Sequence, residues 1–357
     1  MVRNIKLLKT LNLLDNMKKI LISTILNLFL ICGFAQDFHL SQYWASPLNL
    51  NPALTGVFDD NIRFAANYRN QWFNYTTFAT YAVSVDANLW RNKMNGNILG
   101  VGLGFYQDIE GKQEFTNTGV NLNLAYNQKI GGRGINHYIG IGMQGAYYAK
   151  QINLKNLIYG NLFENNNNTD PLDFLEYQQR SVIDVSAGLN YFVNINNRHT
   201  ISAGFSVFHL AKPNVSFGSN SEDILYRKFT ANLSAKLELQ NKVISIIPIM
   251  LFQKQGPHLE MIFGSYVKFL LNENKNTALY AGAQYRLAAY EKSNIASDAF
   301  ILGVRAEFAS FDVGFSYDIT VSNLRKATIF MGGPELYVIY TLRTSKGRRD
   351  VLKCPKF

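Results

Sequence analysis

The chain has 357 residues, of which 47% are hydrophobic and 13% aromatic, while only 17% are charged. This composition is not typical of a soluble cytosolic enzyme, and 26 Gly against 8 Pro excludes a collagen-like or proline-rich disordered chain. The net charge of +10 falls to +6 without residues 1–35, which carry five basic residues and one acidic residue. No dense basic block remains in the interior, so we expect no nucleic-acid partner.

Residues 1–35 have the pattern of an export signal. From Met17 the sequence reads MKKILISTILNLFLICGFAQDF, in which two lysines precede an apolar run and a small residue, Ala35, marks a cleavage site. We therefore predict Sec-type export, and Met17 is a second candidate for the true start. A transmembrane anchor is disfavoured, because the apolar run is short and Asn27 interrupts it.

Residues 36–60 differ in composition from the rest of the exported chain. They are polar and are punctuated by Pro47, Pro52 and Gly56. We predict a periplasmic arm or a plug inside a barrel. A disordered leader is the alternative, which the aromatic residues of the segment disfavour.

Residues 61–343 repeat a period-two alternation of apolar and polar side chains, which predicts β-strands. In Val182–Val193, for example, the odd positions are mostly large and apolar and the even positions carry Asp184 and Asn190. Many predicted strands reach about 9–11 residues or more, the length that crosses a bilayer at a tilt. Long and short connections alternate, as in outer-membrane barrels. The predicted fold class is all-β, a transmembrane barrel of about 14 antiparallel strands. The predicted strands lie near 61–70, 78–88, 97–107, 116–129, 136–149, 181–193, 199–210, 226–238, 241–254, 258–271, 276–287, 298–307, 310–319 and 334–343.

Residues 344–357 form a basic C-terminal tail that contains Cys354. This is the sole cysteine once the signal is removed, so neither an internal disulfide nor a cysteine-based metal site is expected. Pro248 lies inside the ninth predicted strand, which weakens that prediction because proline lacks a ladder donor.

Motifs that would indicate catalysis are weak. The sequence GIGMQG at 140–145 matches a dinucleotide fingerprint but continues a strand pattern instead of opening a helix. The five histidines lack metal-ligand spacing, and no GxSxG elbow is present. We predict no catalytic, cofactor-binding or metal-binding residue, and therefore no enzyme. A barrel lipase whose triad is assembled from distant strands remains an alternative.

Several short blocks resemble the PorP/SprF family, outer-membrane proteins associated with the type IX secretion system of Bacteroidetes. The mature region begins with QD, SQY and LNPA followed by YRNQW, and the C-terminal third contains LYAGAQYR, SDAFILGV, GFSYDITVSNL, GGPELYVIYTL and a final CPKF. The residues that carry the resemblance, and that we name as candidates for partner binding, are Ser41, Gln42, Tyr43, Pro47, Asn51, Pro52, Gly56, Arg63, Tyr68, Arg69, Asn70, Gln71, Trp72, Tyr317, Asp318, Cys354, Pro355 and Phe357.

The resemblance implies an outer-membrane barrel that acts with the secretion machinery. It implies as partners the C-terminal domain of a large secreted adhesin used in gliding, which such proteins help to export or anchor, and other outer-membrane and periplasmic secretion proteins. No catalytic residue is carried over. A solute or lipid transport channel is the alternative function, since a barrel of this size can enclose a lumen.

Overall fold

The computed structural model describes residues 37–71, 78–89, 96–111, 115–132, 135–153, 177–196, 198–218, 223–240, 243–273, 277–289, 295–322 and 331–342. Residues from Phe38 onward form one compact unit. Fourteen antiparallel strands close into a barrel in which every strand pairs with its neighbours along the chain, and the first strand pairs with the last. This confirms the predicted all-β barrel of about 14 strands. No helix within the described ranges is long and apolar enough to span a membrane.

The strands lie close to where the alternating pattern predicts them. Their bounds are β1 Ile62–Asn70, β2 Phe78–Leu89, β3 Ile98–Glu110, β4 Phe115–Gly132, β5 Ile135–Asn153, β6 Tyr177–Ile195, β7 His199–Phe208, β8 Lys228–Glu238, β9 Ile244–Gln255, β10 His258–Asn272, β11 Thr277–Ala289, β12 Ala296–Phe308, β13 Phe311–Thr320 and β14 Met331–Leu342.

Successive side chains on each strand point to opposite sides of the wall. Ile183 is 76% exposed on the outside of β6, while its neighbour Asp184 is 1% exposed and points inward. The same contrast holds for Leu122, which is exposed, and Asn121 and Asn123, which are buried. The outer surface is therefore apolar, as a lipid-facing surface must be, and polar groups face the lumen.

The barrel has two distinct ends. The strands β1 and β13 finish at one end, whose connections include 154–176, 209–227 and 321–330, and we call it the loop end. The opposite end has mostly short connections, such as 309–310 between β12 and β13, and we call it the turn end.

Pro248 lies within β9 opposite Ser265, despite its missing N–H. Its neighbours Ile247 and Ile249 point inward and are buried, so the proline itself faces outward. The strand is apolar on both faces because its inner face packs against a segment inside the lumen.

This luminal segment, residues 38–60, precedes β1 and is almost wholly buried. It contains 3₁₀ turns at Tyr43–Ala45 and Pro52–Leu54 and one short helix, α1, at Pro47–Leu50. Proline at the first position of α1 and of the second 3₁₀ turn suits these starts, because no helical partner exists there for an N–H. The segment has little regular structure, so its backbone polar groups need partners on the wall.

Candidate functional site

The luminal segment runs through the barrel in one direction, from the loop end to the turn end. The carbonyl of His39 accepts a hydrogen bond from Arg69, next to the loop-end residue of β1. At the other end the carboxylate of Asp60 accepts one from Thr341, close to the last residue of β14. The segment therefore occupies the lumen along its length.

Near the loop end, two adjacent residues of the segment are held by carboxylates of β13 and β14. The backbone N–H groups of Ser41 and Gln42 donate to the two carboxylate oxygens of Glu335, at 2.7 and 2.8 Å. The hydroxyl of Ser41 lies 2.8 Å from both carboxylate oxygens of Asp318. Gln42 also donates through its side-chain amide to the carbonyl of Glu335, at 3.1 Å. We call these four residues, together with Arg69 and Arg286, the latch.

Two arginines balance the charge of the latch. Nη2 of Arg69 and Nη1 of Arg286 lie 2.7 and 2.9 Å from Oδ2 of Asp318. Nε of Arg69 is 3.5 Å from Glu335, and Arg286 also donates to the hydroxyl of Ser41 at 3.0 Å. All four charged side chains are nearly inaccessible to solvent. Arg286 also pairs with Asp298 at 2.6 Å. Removing one partner from such a buried network is strongly destabilising.

On the opposite wall, uncharged side chains hold the middle of the segment. Gln144 donates to the carbonyl of Leu48 at 3.1 Å, and Ser206 to that of Leu50 at 2.9 Å. Asn127 donates to the carbonyl of Ala53 at 3.2 Å. We call Gln144, Ser206 and Asn127, with their amide and hydroxyl neighbours on β4 to β8, the amide wall.

Glycines on the amide wall let the segment approach the strands closely. A Cβ atom on Gly142 would lie 2.3 Å from the nitrogen of Ala53, and one on Gly188 would lie 2.0 Å from Oδ1 of Asn51. Asn51 uses that space to donate to the carbonyl of Leu189 at 2.8 Å. The fingerprint-like glycine motif of β5 thus has a packing role at Gly142, where the backbone of the segment takes the place of a side chain.

Near the turn end, Gly56, Asp86 and Arg63 form a second attachment. The N–H of Gly56 donates to Asp86 at 2.7 Å, and Arg63 donates to both carboxylate oxygens of Asp86, at 2.9 and 2.7 Å. Gly56 has φ +75°, and a Cβ there would lie 2.6 Å from Cα of Gly100. Only glycine suits this turn against the wall.

Aromatic residues of the segment fill the lumen between the two walls. Trp44 lies edge-on to Tyr266, with 5.3 Å between ring centroids, and packs in one buried cluster with Tyr43, Ile247 and Tyr337.

The structure brings together four of the candidate residues, Ser41, Gln42, Arg69 and Asp318, although up to 277 positions separate them in sequence. The other candidates are spread more widely. Five of them belong to the luminal segment: Tyr43, Pro47, Asn51, Pro52 and Gly56. On β1 and just after it, Arg63 pairs with Asp86, Asn70 donates to Tyr68 on the exposed side, and Gln71 accepts a hydrogen bond from Arg69. Tyr317 lies on the outward face of β13, and four candidates lie outside the described residues: Trp72, Cys354, Pro355 and Phe357.

Sequence reasoning missed three charged members of these attachments, Asp86, Arg286 and Glu335. Each is a charged residue at a position that the alternation of its strand directs into the lumen, away from lipid. Such a charge inside a barrel needs a partner of opposite sign. This signal could have singled them out, but not their partners.

At the loop end, the connection between β7 and β8 is folded over the rim. The N–H of Val215 donates to the carbonyl of Asp223 at 2.8 Å, and that of Leu225 donates to Pro213 at 3.0 Å. His209, at the start of this connection, lies 2.7 Å from the buried carboxylate of Asp184. The connection is therefore an ordered part of the loop-end surface within its described residues.

No group of three or more His, Cys, Asp or Glu residues that could hold a metal ion occurs in the described part of the chain. The attachments found are hydrogen bonds and ion pairs between the chain's own groups. Chemically, this arrangement binds and positions a peptide segment.

Comparisons with known proteins concern the fold and the family. We found no curated protein with significant sequence similarity to the chain. Among solved structures, a Pseudomonas aeruginosa FadL homologue is 10% identical with a TM-score of 0.45, covering 81% of this chain and 92% of its own. The Acinetobacter baumannii outer membrane protein Omp33 is 9% identical with a TM-score of 0.39, covering 81% of this chain and 100% of its own. The CymD monoaromatic hydrocarbon channel is 10% identical with a TM-score of 0.42, covering 87% and 95%.

The sequence itself is more informative about identity. A family model described as type IX secretion system membrane protein PorP/SprF matches residues 33–332. The match spans the luminal segment, most of the barrel and three of the four latch positions on the wall, Arg69, Arg286 and Asp318, and it ends before Glu335. The chain therefore belongs to the PorP/SprF family of type IX secretion system membrane proteins, and its place is the outer membrane.

Proposed function

We propose that this protein binds the C-terminal domain of a large secreted adhesin at the loop end of the barrel and holds the adhesin at the cell surface. Membership in a secretion family supports a role in protein export. The observation that carries the proposal is the filled lumen. Residues 38–60 occupy the lumen and are hydrogen-bonded to opposite walls, which favours the ends of the barrel as the surfaces that bind a client.

The loop end supports this role better than the turn end. The described residues of its connection between β7 and β8 are joined by backbone hydrogen bonds and include exposed apolar side chains, with Ile224 44% and Tyr226 40% exposed. Exposed aromatic and aliphatic side chains on an ordered loop favour binding of a partner, since little conformational freedom is lost on association.

The proposal is tested by affinity capture of the tagged protein from detergent-solubilised outer membranes. We expect recovery of a secreted protein much larger than the 357 residues of this chain. We also expect that protein to disappear from the cell surface when the gene for the barrel is deleted. Recovery of no large secreted protein, or its unchanged surface display in the deletion strain, would contradict the proposal.

A matched pair of variants separates the two ends of the barrel. The double variant Ile224→Asn with Tyr226→Ser changes exposed apolar residues at the loop end, and Leu239→Asn with Val243→Asn changes a similarly exposed pair at the turn end. We expect at least tenfold less adhesin with the first variant and an unchanged amount with the second. The reverse result would place binding at the turn end.

A transport channel is the competing function. With the luminal segment in place, we expect the purified protein to show no steady ion conductance in planar bilayers. A stable open conductance in the absence of any partner would favour the channel over the adhesin anchor.

A further inference from the structure

The outer face of β9 shows where the apolar surface ends toward the loop end. Its outward positions from Ile244 to Phe252 are apolar, and the next outward residue, Lys254, is exposed. At about 3.3 Å per residue and a tilt near 40°, Lys254 lies about 33 Å along the strand from Ile244, or about 25 Å along the membrane normal. The apolar band of an outer-membrane barrel is about 25 Å tall. Lys254 therefore lies at the height of the lipid headgroups.

A second cation, Arg227, lies beside Lys254 on the same side of the wall. Phe229 of β8 is paired with Lys254, and Arg227 precedes Phe229 by two residues, so both point outward and are exposed. Diagonal neighbours of this kind lie about 7–8 Å apart, within reach of long side chains. Nη2 of Arg227 donates to the carbonyl of Leu210 at 3.3 Å, which uses one of the five N–H groups of the guanidinium and positions the rest at the rim.

The connection between β7 and β8 supplies a third cation. Lys212 is exposed and follows Leu210 by two residues, so the two Cα atoms are at most about 7 Å apart. Its backbone N–H donates to the carbonyl of His209 at 3.2 Å, which fixes the turn that presents the lysine. Arg180 of β6 donates to the carbonyl of Asn214 at 3.3 Å and adds positive charge to the same connection. We call Arg227, Lys254 and Lys212 the rim cluster.

The carboxylates of this region lie away from the rim cluster. Asp184 is buried beneath the connection, 2.7 Å from the ring of His209. Asp223 belongs to the short ladder further along the connection, where its carbonyl accepts a hydrogen bond from Val215. The exposed rim is therefore positive at the height of the headgroups, and it favours an anionic group that lies in that layer.

We propose that the rim cluster binds the phosphate of a phosphorylated lipid in the outer leaflet, whose acyl chains lie along the outward rings of Phe229 and Phe252. The loop end is the outer end, because the longer connections of outer-membrane barrels lie outside the cell. The guanidinium of Arg227 can bind two phosphate oxygens at once, and the ammonium groups of Lys254 and Lys212 add point charges. This inference concerns the lipid-facing side of the rim and does not depend on the proposed adhesin.

Lipid binding by the purified full-length exported protein in a non-ionic detergent tests the proposal. Native mass spectrometry measures the affinity for phosphorylated lipid A, for the same lipid after removal of its phosphates, and for inorganic phosphate alone. The test variant is Arg227→Gln with Lys254→Gln. The matched control, Arg198→Gln with Lys129→Gln, removes the same charge at the turn end. Both double variants should unfold at the same urea concentration as the unmodified protein.

We expect the test variant to bind phosphorylated lipid A at least tenfold more weakly and the control to bind it unchanged. Lys212→Gln alone should weaken binding several-fold, as should added salt, whereas the charge-preserving exchange Arg227→Lys with Lys254→Arg should retain it. The lipid without phosphates should bind weakly to every variant. Equal affinity of the test variant and the unmodified protein, equal affinity for the two lipids, or equally tight binding of inorganic phosphate would overturn the proposal, and the last result would assign the rim cluster to a soluble anion.

Discussion

The two walls of the lumen hold the same peptide segment by different groups, charged side chains on one wall and uncharged ones on the other. On one wall, the carboxylates of Glu335 and Asp86 accept hydrogen bonds from backbone N–H groups of the segment. On the amide wall, Gln144 and Ser206 donate to its backbone carbonyls. The division is not complete, because Arg69 also donates to the carbonyl of His39 and Asn51 donates to the carbonyl of Leu189. The comparison shows how a segment with little regular structure is held in a closed lumen, since the walls together supply partners for both its donors and its acceptors.

The two walls also differ in how much stability is lost when a single contact is removed. A neutral hydrogen bond contributes about 0.5–1.5 kcal/mol to stability, and one to a charged group about 1.5–3 kcal/mol. A buried charge that loses its partner costs about 3–5 kcal/mol. The latch is therefore the attachment most sensitive to a single substitution. The amide wall holds the luminal segment through several contacts, each of which is weak.

Asp318→Asn is expected to have the largest effect. The substitution keeps the shape of the side chain but removes the carboxylate shared by Arg69 and Arg286. Arg69 then keeps Glu335 at 3.5 Å and Arg286 keeps Asp298 at 2.6 Å, so the buried network has one negative charge fewer. We expect a loss of about 3–5 kcal/mol in the free energy of unfolding, measured by urea titration in detergent micelles. Tyr317→Phe on the outward face of the same strand is the control and should change it by less than about 0.5 kcal/mol. Equal stability of both variants would show that the ion pairs of the latch contribute little to the free energy of unfolding.

Gly142→Ala tests the close approach at the amide wall. The added methyl group would meet backbone atoms of Pro52 and Ala53 at 2.4 and 2.3 Å, so the segment must shift away from β5. We expect a loss of about 1–3 kcal/mol and faster cleavage of the segment by chymotrypsin. Gly145→Ala, on the same strand with nothing within 4 Å of its added Cβ, should leave both quantities unchanged. Sensitivity at residue 145 equal to that at 142 would mean that the strand itself, and not its contact with the segment, is perturbed.

Ser206→Ala should have the smallest effect of the three. It removes one neutral hydrogen bond to the carbonyl of Leu50, and we expect a loss of about 1 kcal/mol in the same urea titration. A loss as large as that of Asp318→Asn would remove the contrast between the two walls. It would indicate that the hydroxyl belongs to a cooperative network.

Much of the fold could be predicted from the sequence because each strand of a membrane barrel requires apolar side chains on the face toward lipid. The alternation in Val182–Val193 predicts that Asp184 faces the lumen and Ile183 the lipid, and the structure agrees. At Pro248, local propensity alone is misleading. Local propensity argues against a strand there, but pairing with β10 and an inner face packed on the luminal segment override that preference.

The candidate site could be predicted only in part. Ser41, Gln42, Arg69 and Asp318 were named from the family resemblance, whereas their convergence depends on closure of the barrel between β1 and β14. Glu335 and Arg286 were missed because, in the alternating pattern, a charged residue that faces the lumen looks like any other polar residue at a lumen-facing position. Its partner lies on another strand or in the luminal segment.

By itself, the sequence determined the number and approximate bounds of the strands, the side of each strand that meets lipid, and the resemblance to a secretion family, while the export signal at residues 1–35 stays a prediction. These features follow from local periodicity and short motifs, which require no knowledge of distant residues. Only the tertiary structure decided that residues 38–60 lie inside the lumen and not beside the barrel, and which charges hold them there. Those contacts join residues hundreds of positions apart, and barrel closure alone brings them within hydrogen-bonding distance.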